Sequence, residues 1–268
     1  MLGAIVGDIV GSRFEWHNIK TKDFNLFNAA CFATDDSIMT LAVAKALLSY
    51  ERGDYEKLRR DAVNCMIEVG RPYNDCGYGG AFYAWLYGDV HKPYNSFGNG
   101  SAMRVSPVAY VAESLDECKL LSLAVTDITH NHPEGIKGAE ATAVATYLAL
   151  HGASKDEIKD YIVKNYYDFH SALDEIRKTY RFNETCQMTV PQALTAFWES
   201  TSFVDAIKNA VSIGGDSDTV AAIAGAVAGA FYGVPTDCEK TASVFLDDRL
   251  TEILDAFEEK YVKKHKTV

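Results

Sequence analysis

IGGDSDTVAAIAGAVAGAFYG, residues 213–233, is the stretch on which the fold turns. Two glycines and two aspartates open it, and the eighteen residues between Asp218 and Asp237 carry no charge. That length alone would suit a membrane span. The residues are mostly Ala and Gly with Pro235 among them, however, so the apolar content falls short of one. Gly225, Gly229 and Gly233 recur at i, i+4 and i+8, which leaves a smooth stripe where another helix backbone can approach closely. The stretch therefore predicts a helix over 218–232 that is buried on all sides.

Helical periodicity continues outward from this segment. Residues 36–50 place Met39, Val43, Ala46, Leu47 and Tyr50 on one face, and residues 55–69 repeat the pattern with Leu58, Ala62, Cys65, Met66 and Val69. Pro133 opens a helix to about Leu150, with Glu134 at its positive end. Ser154 and Glu157 read as a capping box for the next helix. Further helices are expected near 115–127, 190–200, 203–211 and 249–264. No run alternates as a strand does and no βαβ spacing occurs, so the prediction is an all-α chain of about a dozen helices, one domain over 1–268.

Composition narrows the function. Against 26 Lys+Arg stand 37 Asp+Glu, a net charge of −11, which lacks the basic footprint that nucleic-acid backbones require. The basic run from Lys260 to Lys266 reads as cations closing a last helix against its dipole. Six cysteines at 31, 65, 76, 118, 186 and 238 form no C-x-x-C pair, as expected of reduced thiols in a cytoplasmic protein. The first residues have no basic region before their apolar stretch, and Asp8 interrupts it, so no signal peptide is read there. A monomer without membrane attachment is expected.

Acidic residues gather at three places: Gly7-Asp8 with Glu15, Thr34-Asp35-Asp36, and Gly214-Gly215-Asp216-Ser217-Asp218-Thr219. Capping explains one Asp per helix start and leaves the adjacent pairs unaccounted for. Such sets supply hard oxygen ligands suited to Mg²⁺ or Mn²⁺. If the clusters face one pocket, their carboxylates would hold two ions about 3.5–4 Å apart. Asp216-Ser-Asp218-Thr-Val220 also fits the D-x-D-x-[TV] pattern of aspartate-nucleophile phosphatases, but that chemistry needs the end of a buried strand. An EF-hand lacks its remaining ligands here. Between the acidic clusters lies Ser96-Phe97-Gly98-Asn99-Gly100, whose glycines let backbone N–H groups converge on an anion, with Arg104 nearby. His130 and His132 form an H-x-H pair that finds no third soft ligand for zinc.

Together these pieces resemble the ADP-ribosylglycohydrolase family, which includes the dinitrogenase-reductase-activating glycohydrolases. The matching stretches are GAIVGDIVGSRFEW (3–16), ATDDSIMTLAVAKALL (33–48), SFGNGSAMRVSP (96–107), THNHPEGIKGA (129–139) and IGGDSDTVAAIAGAVAGAFYG (213–233), in the family's order. The resemblance implies an all-α fold with a binuclear Mg²⁺ or Mn²⁺ centre in a cleft. It implies hydrolysis of the bond from C1 of the distal ribose of ADP-ribose to a protein side chain or small molecule. Thr34, Asp35, Asp36, Asp216, Asp218 and Thr219 resemble the family's metal ligands, and Glu15 its metal-site glutamate. Ser96, Phe97, Gly98, Asn99 and Gly100 resemble its diphosphate loop, with Phe97 at an adenine-stacking position, and His130 its ribose-side histidine. The general base would come from Asp35, Asp36 or Asp75, the last on a poor flanking match. Ser37 stands where the family often has Thr, and Arg13 where it often has Pro. A non-catalytic ADP-ribose binder of the same fold, or a hydrolase of another nucleoside-type glycoside, is the alternative.

Overall fold

The computed structural model describes residues 1–169 and 171–263. Its elements are α1 (Leu2–Ser12), α2 (Asp35–Leu48), α3 (Tyr55–Gly70), α4 (Gly80–Tyr87), α5 (Gly100–Met103), α6 (Val108–Val111), α7 (Leu115–Thr126), α8 (Pro133–Leu150), α9 (Lys155–Asn165), α10 (Leu173–Thr179), α11 (Cys186–Trp198), α12 (Phe203–Ser212), α13 (Ser217–Tyr232), α14 (Thr236–Ser243) and α15 (Asp248–Phe257), followed by a π-helical turn at Glu258–Val262. Among the described residues there is no strand, only an isolated bridge between Gly98 and Thr185, so the chain is all-α. No described helix is long and apolar enough to cross a membrane.

At the centre α1 lies directly against α13. Every residue of α1 is buried, as is α13 from Ser217 to Ala228. A Cβ at Gly3 would stand 2.1 Å from the Gly225 carbonyl oxygen, one at Gly7 2.0 Å from that of Ala221, and one at Gly11 2.5 Å from the Asp218 Cα. The two backbones thus touch, with Ala4 packed on Ala222 and Ala226 beside the contact. Gly233 does not extend the stripe expected from its spacing. It ends α13 with φ of +78°, a conformation that L side chains rarely adopt. Helices α8, α11 and α12 pack around α13, and α2 bridges α1 to α3.

The first helix is absent from the sequence reading, because an element buried all round has no amphipathic periodicity. Elsewhere α2, α3, α7 and α8 fall within a residue or two of expectation, and Ser154 and Glu157 form the capping box. The helix read over 190–200 instead starts at Cys186 and carries Pro191 inside it. Asn183 Oδ1 accepts from the Thr185 N–H at 2.9 Å and so starts the helix early. The bond lost at Pro191 would have reached the carbonyl of Gln187, an exposed residue that water can serve. Lys260 Nζ donates to the Leu48 carbonyl at 2.7 Å and Lys263 pairs with Glu259. Residues 264–266 of the basic run lie outside the described residues. All six cysteines are free.

The α1–α13 contact gives a direct test. Gly7→Ala forces a methyl into a backbone carbonyl and is expected to cost about 3 kcal/mol, at the upper end of overpacking. Gly80→Ala, where nothing lies within 4 Å of the added carbon, is expected to stay within about 1 kcal/mol of wild type. Urea unfolding of the two variants checks the contrast, and equal effects would count against the contact.

Candidate metal centre and cleft

Contact between α1 and α13 brings Asp8 and Asp218 to one place, and Asp8 in turn fixes the start of α2. Its Oδ1 accepts from Thr34 Oγ1 at 2.6 Å, and its Oδ2 accepts from the N–H groups of Thr34 and Ser37 at 3.0 Å and from the Ser37 hydroxyl. Thr34 Oγ1 also caps α2 by accepting from the Asp36 N–H at 3.2 Å. Across the gap Thr219 Oγ1 donates to Asp36 Oδ2 at 3.1 Å. Asn99 Nδ2 donates to Asp216 Oδ2 at 2.7 Å.

Two carboxylate trios result. One oxygen each from Asp8, Asp36 and Asp218 lies within 4.8 Å of the others, and the same holds for Glu15, Asp216 and Asp218. Asp218 belongs to both. Burial, with the neighbouring aspartates adding to it, holds the carboxyls of Asp35, Asp36 and Asp218 well above the usual range. Burial likewise raises Asp8 and Asp216 to about 6, and raises Glu15 to about 7 with help from Asp218 and Asp8. The residues fit a divalent cation on chemistry as well as spacing. Every trio donor is a hard oxygen, and Asp36 Oδ1 is buried with no hydrogen-bond partner among the described residues.

All the trio residues but Asp8 line a cavity of about 260 Å³. Ser96, Gly98, Asn99, Gly100, His130 and Arg104 also line it, with Tyr94, Phe82, Phe182 and Glu184. His130 Nε2 lies 3.4 Å from where a Gly100 Cβ would stand, so the loop runs close against the ring. The Nδ1 of that ring pairs with Thr129 Oγ1 at 2.7 Å. Burial, then the charge of Arg104, pushes the imidazole well below its ordinary pKa and keeps it neutral. Arg104 is 1% exposed and donates to Thr129 Oγ1 at 2.6 Å, while its Nε has no hydrogen-bond partner among the described residues.

Of the residues named from the sequence, Glu15, Asp35, Asp36, Asp216, Asp218, Thr219, Ser96, Gly98, Asn99, Gly100 and His130 meet at this cavity. Thr34 lies behind it, with its hydroxyl engaged by Asp8 and the Asp36 N–H. Phe97 is exposed outside the lining, its ring 5.2 Å from that of His132. His132 Nδ1 caps α8 by accepting from the Glu134 N–H, so the two histidines do not converge. Asp75 is exposed and off the cavity, although the adjacent Cys76 carbonyl accepts from the Asp35 N–H at 3.0 Å. The bonds from Asp8 to Thr34 and Ser37, and the place of Glu184 on the wall, had no sequence signal beyond acidity.

An all-α chain with overlapping carboxylate trios beside a glycine loop defines an acidic-centred cleft protein. The chain belongs to the ADP-ribosylglycohydrolase family, whose model matches residues 1–266. It is 29% identical over 262 residues to the ADP-ribosylarginine hydrolase Tri1 of Pseudomonas putida (strain GB-1), covering 87% of this chain and 70% of that protein. With human ADP-ribosylhydrolase ARH3 it shares 25% identity over 310 residues, covering 87% and 84%. With the ADP-ribosyl-[dinitrogen reductase] glycohydrolase of Rhodospirillum rubrum it shares 27% over 213 residues, covering 75% and 69%. A solved ADP-ribosylglycohydrolase-related protein complex shares the fold, with a TM-score of 0.67 over 96% of each chain at 24% identity.

The raised carboxyls set the pH dependence of the metal-free protein. Their folded pKa values of about 6 to 7 exceed the unfolded carboxyl range of about 4, so the folded chain binds more protons between those limits. Their contribution to stability is therefore present at low pH and lost as pH rises through the folded values. In a chelator the melting temperature is expected to fall between about pH 5 and pH 8, and Mg²⁺ or Mn²⁺ to reverse the fall. A chelated profile that rises with pH would contradict the arrangement.

Proposed function

We propose that this chain hydrolyses the glycosidic bond between C1 of the distal ribose of ADP-ribose and an acceptor, with two divalent cations, Mg²⁺ or Mn²⁺, held by Asp36, Asp216, Asp218, Glu15 and the Thr219 hydroxyl. The observation that carries the reading is the pair of trios sharing Asp218 beside a buried, unpartnered Asp36 oxygen. Membership of the family and the hydrolase names of its relatives support it. Bound there, the cations would supply positive charge to orient the ribose hydroxyls and to lower the pKa of the attacking water.

The chain's own groups divide the remaining work. The glycine loop at 98–100 lines the cavity beside the diphosphate, with the Gly98 and Asn99 N–H groups spent on Ser96 Oγ and the Glu184 carbonyl, and Arg104 adds the positive field that a protein of net −11 lacks in bulk. Neutral His130 offers its Nε2 toward the same loop and the ribose beside it. Asp36, Asp216 and Asp218 are buried, whereas Glu15 and Asp35 are half-buried and face the cavity. Ligation falls to the first three together with Glu15, and proton transfer with water to Asp35. The water oxygen joins C1, the C1–acceptor bond breaks, and the acceptor leaves carrying a proton. Phe97 at the rim is open to stack on the adenine.

Asp36→Asn keeps the shape and removes the charge. It is expected to lower cation-dependent ADP-ribose release at least about 100-fold, roughly 2.7 kcal/mol of barrier. The assay compares arginine-, serine- and acetyl-linked ADP-ribose in Mg²⁺, Mn²⁺ and chelator. Wild-type turnover unchanged by chelator, or ADP-ribose binding by calorimetry without release from any of the three, would overturn the proposal.

A further inference from the structure

Glu15 stands beyond the end of α1, in a turn whose position depends on one side chain. Asn18 Nδ2 donates to the carbonyls of Phe14 at 2.7 Å, Glu15 at 2.9 Å and Gly215 at 2.9 Å and reaches Ser217 Oγ at 3.5 Å, its two hydrogens shared among four acceptors. Asn18 Oδ1 accepts from the Gly215 N–H at 2.7 Å. With Gly215 the side-chain amide therefore exchanges both bonds, as two paired strands do through their backbones. Lys20 makes a second tie, its Nζ donating to the carbonyls of Tyr180 (2.9 Å) and Ile213. The segment so gripped has little freedom of its own. Gly214 and Gly215 hold φ of +67° and +81°, and a Cβ on Gly215 would stand 2.3 Å from the Tyr180 ring.

One amide thus holds the residue before Asp216 on one side and the Glu15 carbonyl on the other. Asn18 itself is exposed, and the carbonyls it bonds belong to the two segments that deliver Glu15 and Asp216. We propose that Asn18 is a positioning residue of the metal centre, which sets the separation between Glu15 and the Asp216–Asp218 pair. It governs the trio Glu15–Asp216–Asp218 and leaves Asp8–Asp36–Asp218, which α1, α2 and α13 fix without it, in place. The geometry requires a donor and an acceptor on one short planar group. Aspartate supplies only the acceptor and turns a negative oxygen toward three carbonyls. The inference rests on the two-cation reading above and adds the residue that tunes one of the two positions.

The test is Mn²⁺ titration calorimetry on wild type, Asn18→Ala and Asn18→Asp, with melting curves in chelator and steady-state kinetics at several Mn²⁺ concentrations. Wild type is expected to bind two Mn²⁺ per chain. In both variants one ion is expected to bind as before and the other at least about tenfold more weakly, the scale of losing an orienting partner behind a ligand. The kcat of each variant is expected to recover as Mn²⁺ is raised, with KM for the ADP-ribosyl substrate little changed. Two ions bound by both variants with wild-type affinities would overturn the inference and leave the two-cation reading standing. Equal weakening of both ions in step with a lowered chelated melting temperature would also overturn it, since Asn18 would then be merely structural. Fewer than two ions in wild type would defeat the two-cation reading and the inference with it. If Asn18→Ala does not fold, Asn18→Asp, of nearly equal size and keeping the acceptor arm, is read by the same criteria.

Discussion

Everything at the centre of this protein depends on two helix backbones touching. Where α1 meets α13 no side chain intervenes at Gly3, Gly7 or Gly225, and the carbonyl of one helix lies where the other's Cβ would be. Only that separation brings the Asp8 carboxylate within reach of Asp218. Asp8, once in place, draws in Thr34 and Ser37 and so orients the start of α2. The glycines of α1 thus serve the aspartates of α13. Helix propensity is given up at each of them, and burial on every side restores what the glycines lose.

The arrangement is electrostatically costly. Asp8, Asp36 and Asp218 share a volume from which water is largely excluded, and burial is the largest contributor to each raised carboxyl. A buried carboxylate cluster persists when it is protonated or when cations are present to pair with it. Hydroxyls and amides supply part of the compensation: Thr34, Ser37, Thr219 and Asn99 each donate to a carboxylate. The remaining lone pair, on Asp36 Oδ1, faces no donor among the described residues. Arg104 lines the same cavity, and its charge also helps keep His130 neutral.

Sequence alone made a good part of this legible. The Ala/Gly run of α13 reads as a buried helix because it is too poor in large apolar residues for lipid and too free of charge for water. The acidic clusters read as a site because capping cannot employ neighbouring aspartates. Less legible was α1, whose Gly3, Gly7 and Gly11 repeat the interval of Gly225 and Gly229 without an amphipathic face to announce a helix. Asp8 could be noticed as acidic, but its role depends on four donors supplied by a segment about thirty residues away. Asn18 carries no composition signal at all, since an exposed asparagine in a turn looks like any other until Gly215 is known to lie opposite. Local pattern exposes ligand types and helix faces; the groups that set their spacing become visible only when distant segments meet.

The pairing of α1 with α13 also has a consequence for how the molecule comes into being. The two helices sit near opposite ends of the sequence, so the innermost contact of the fold is among its least local ones, and closing so long a loop slows folding. During synthesis α1 leaves the ribosome long before α13 exists, with a face of bare backbone and small side chains that no nearer helix is shaped to cover. The carboxylate cluster therefore cannot assemble piecemeal on a growing chain. It appears late and at once, when α13 arrives, joining two helices made far apart along the chain.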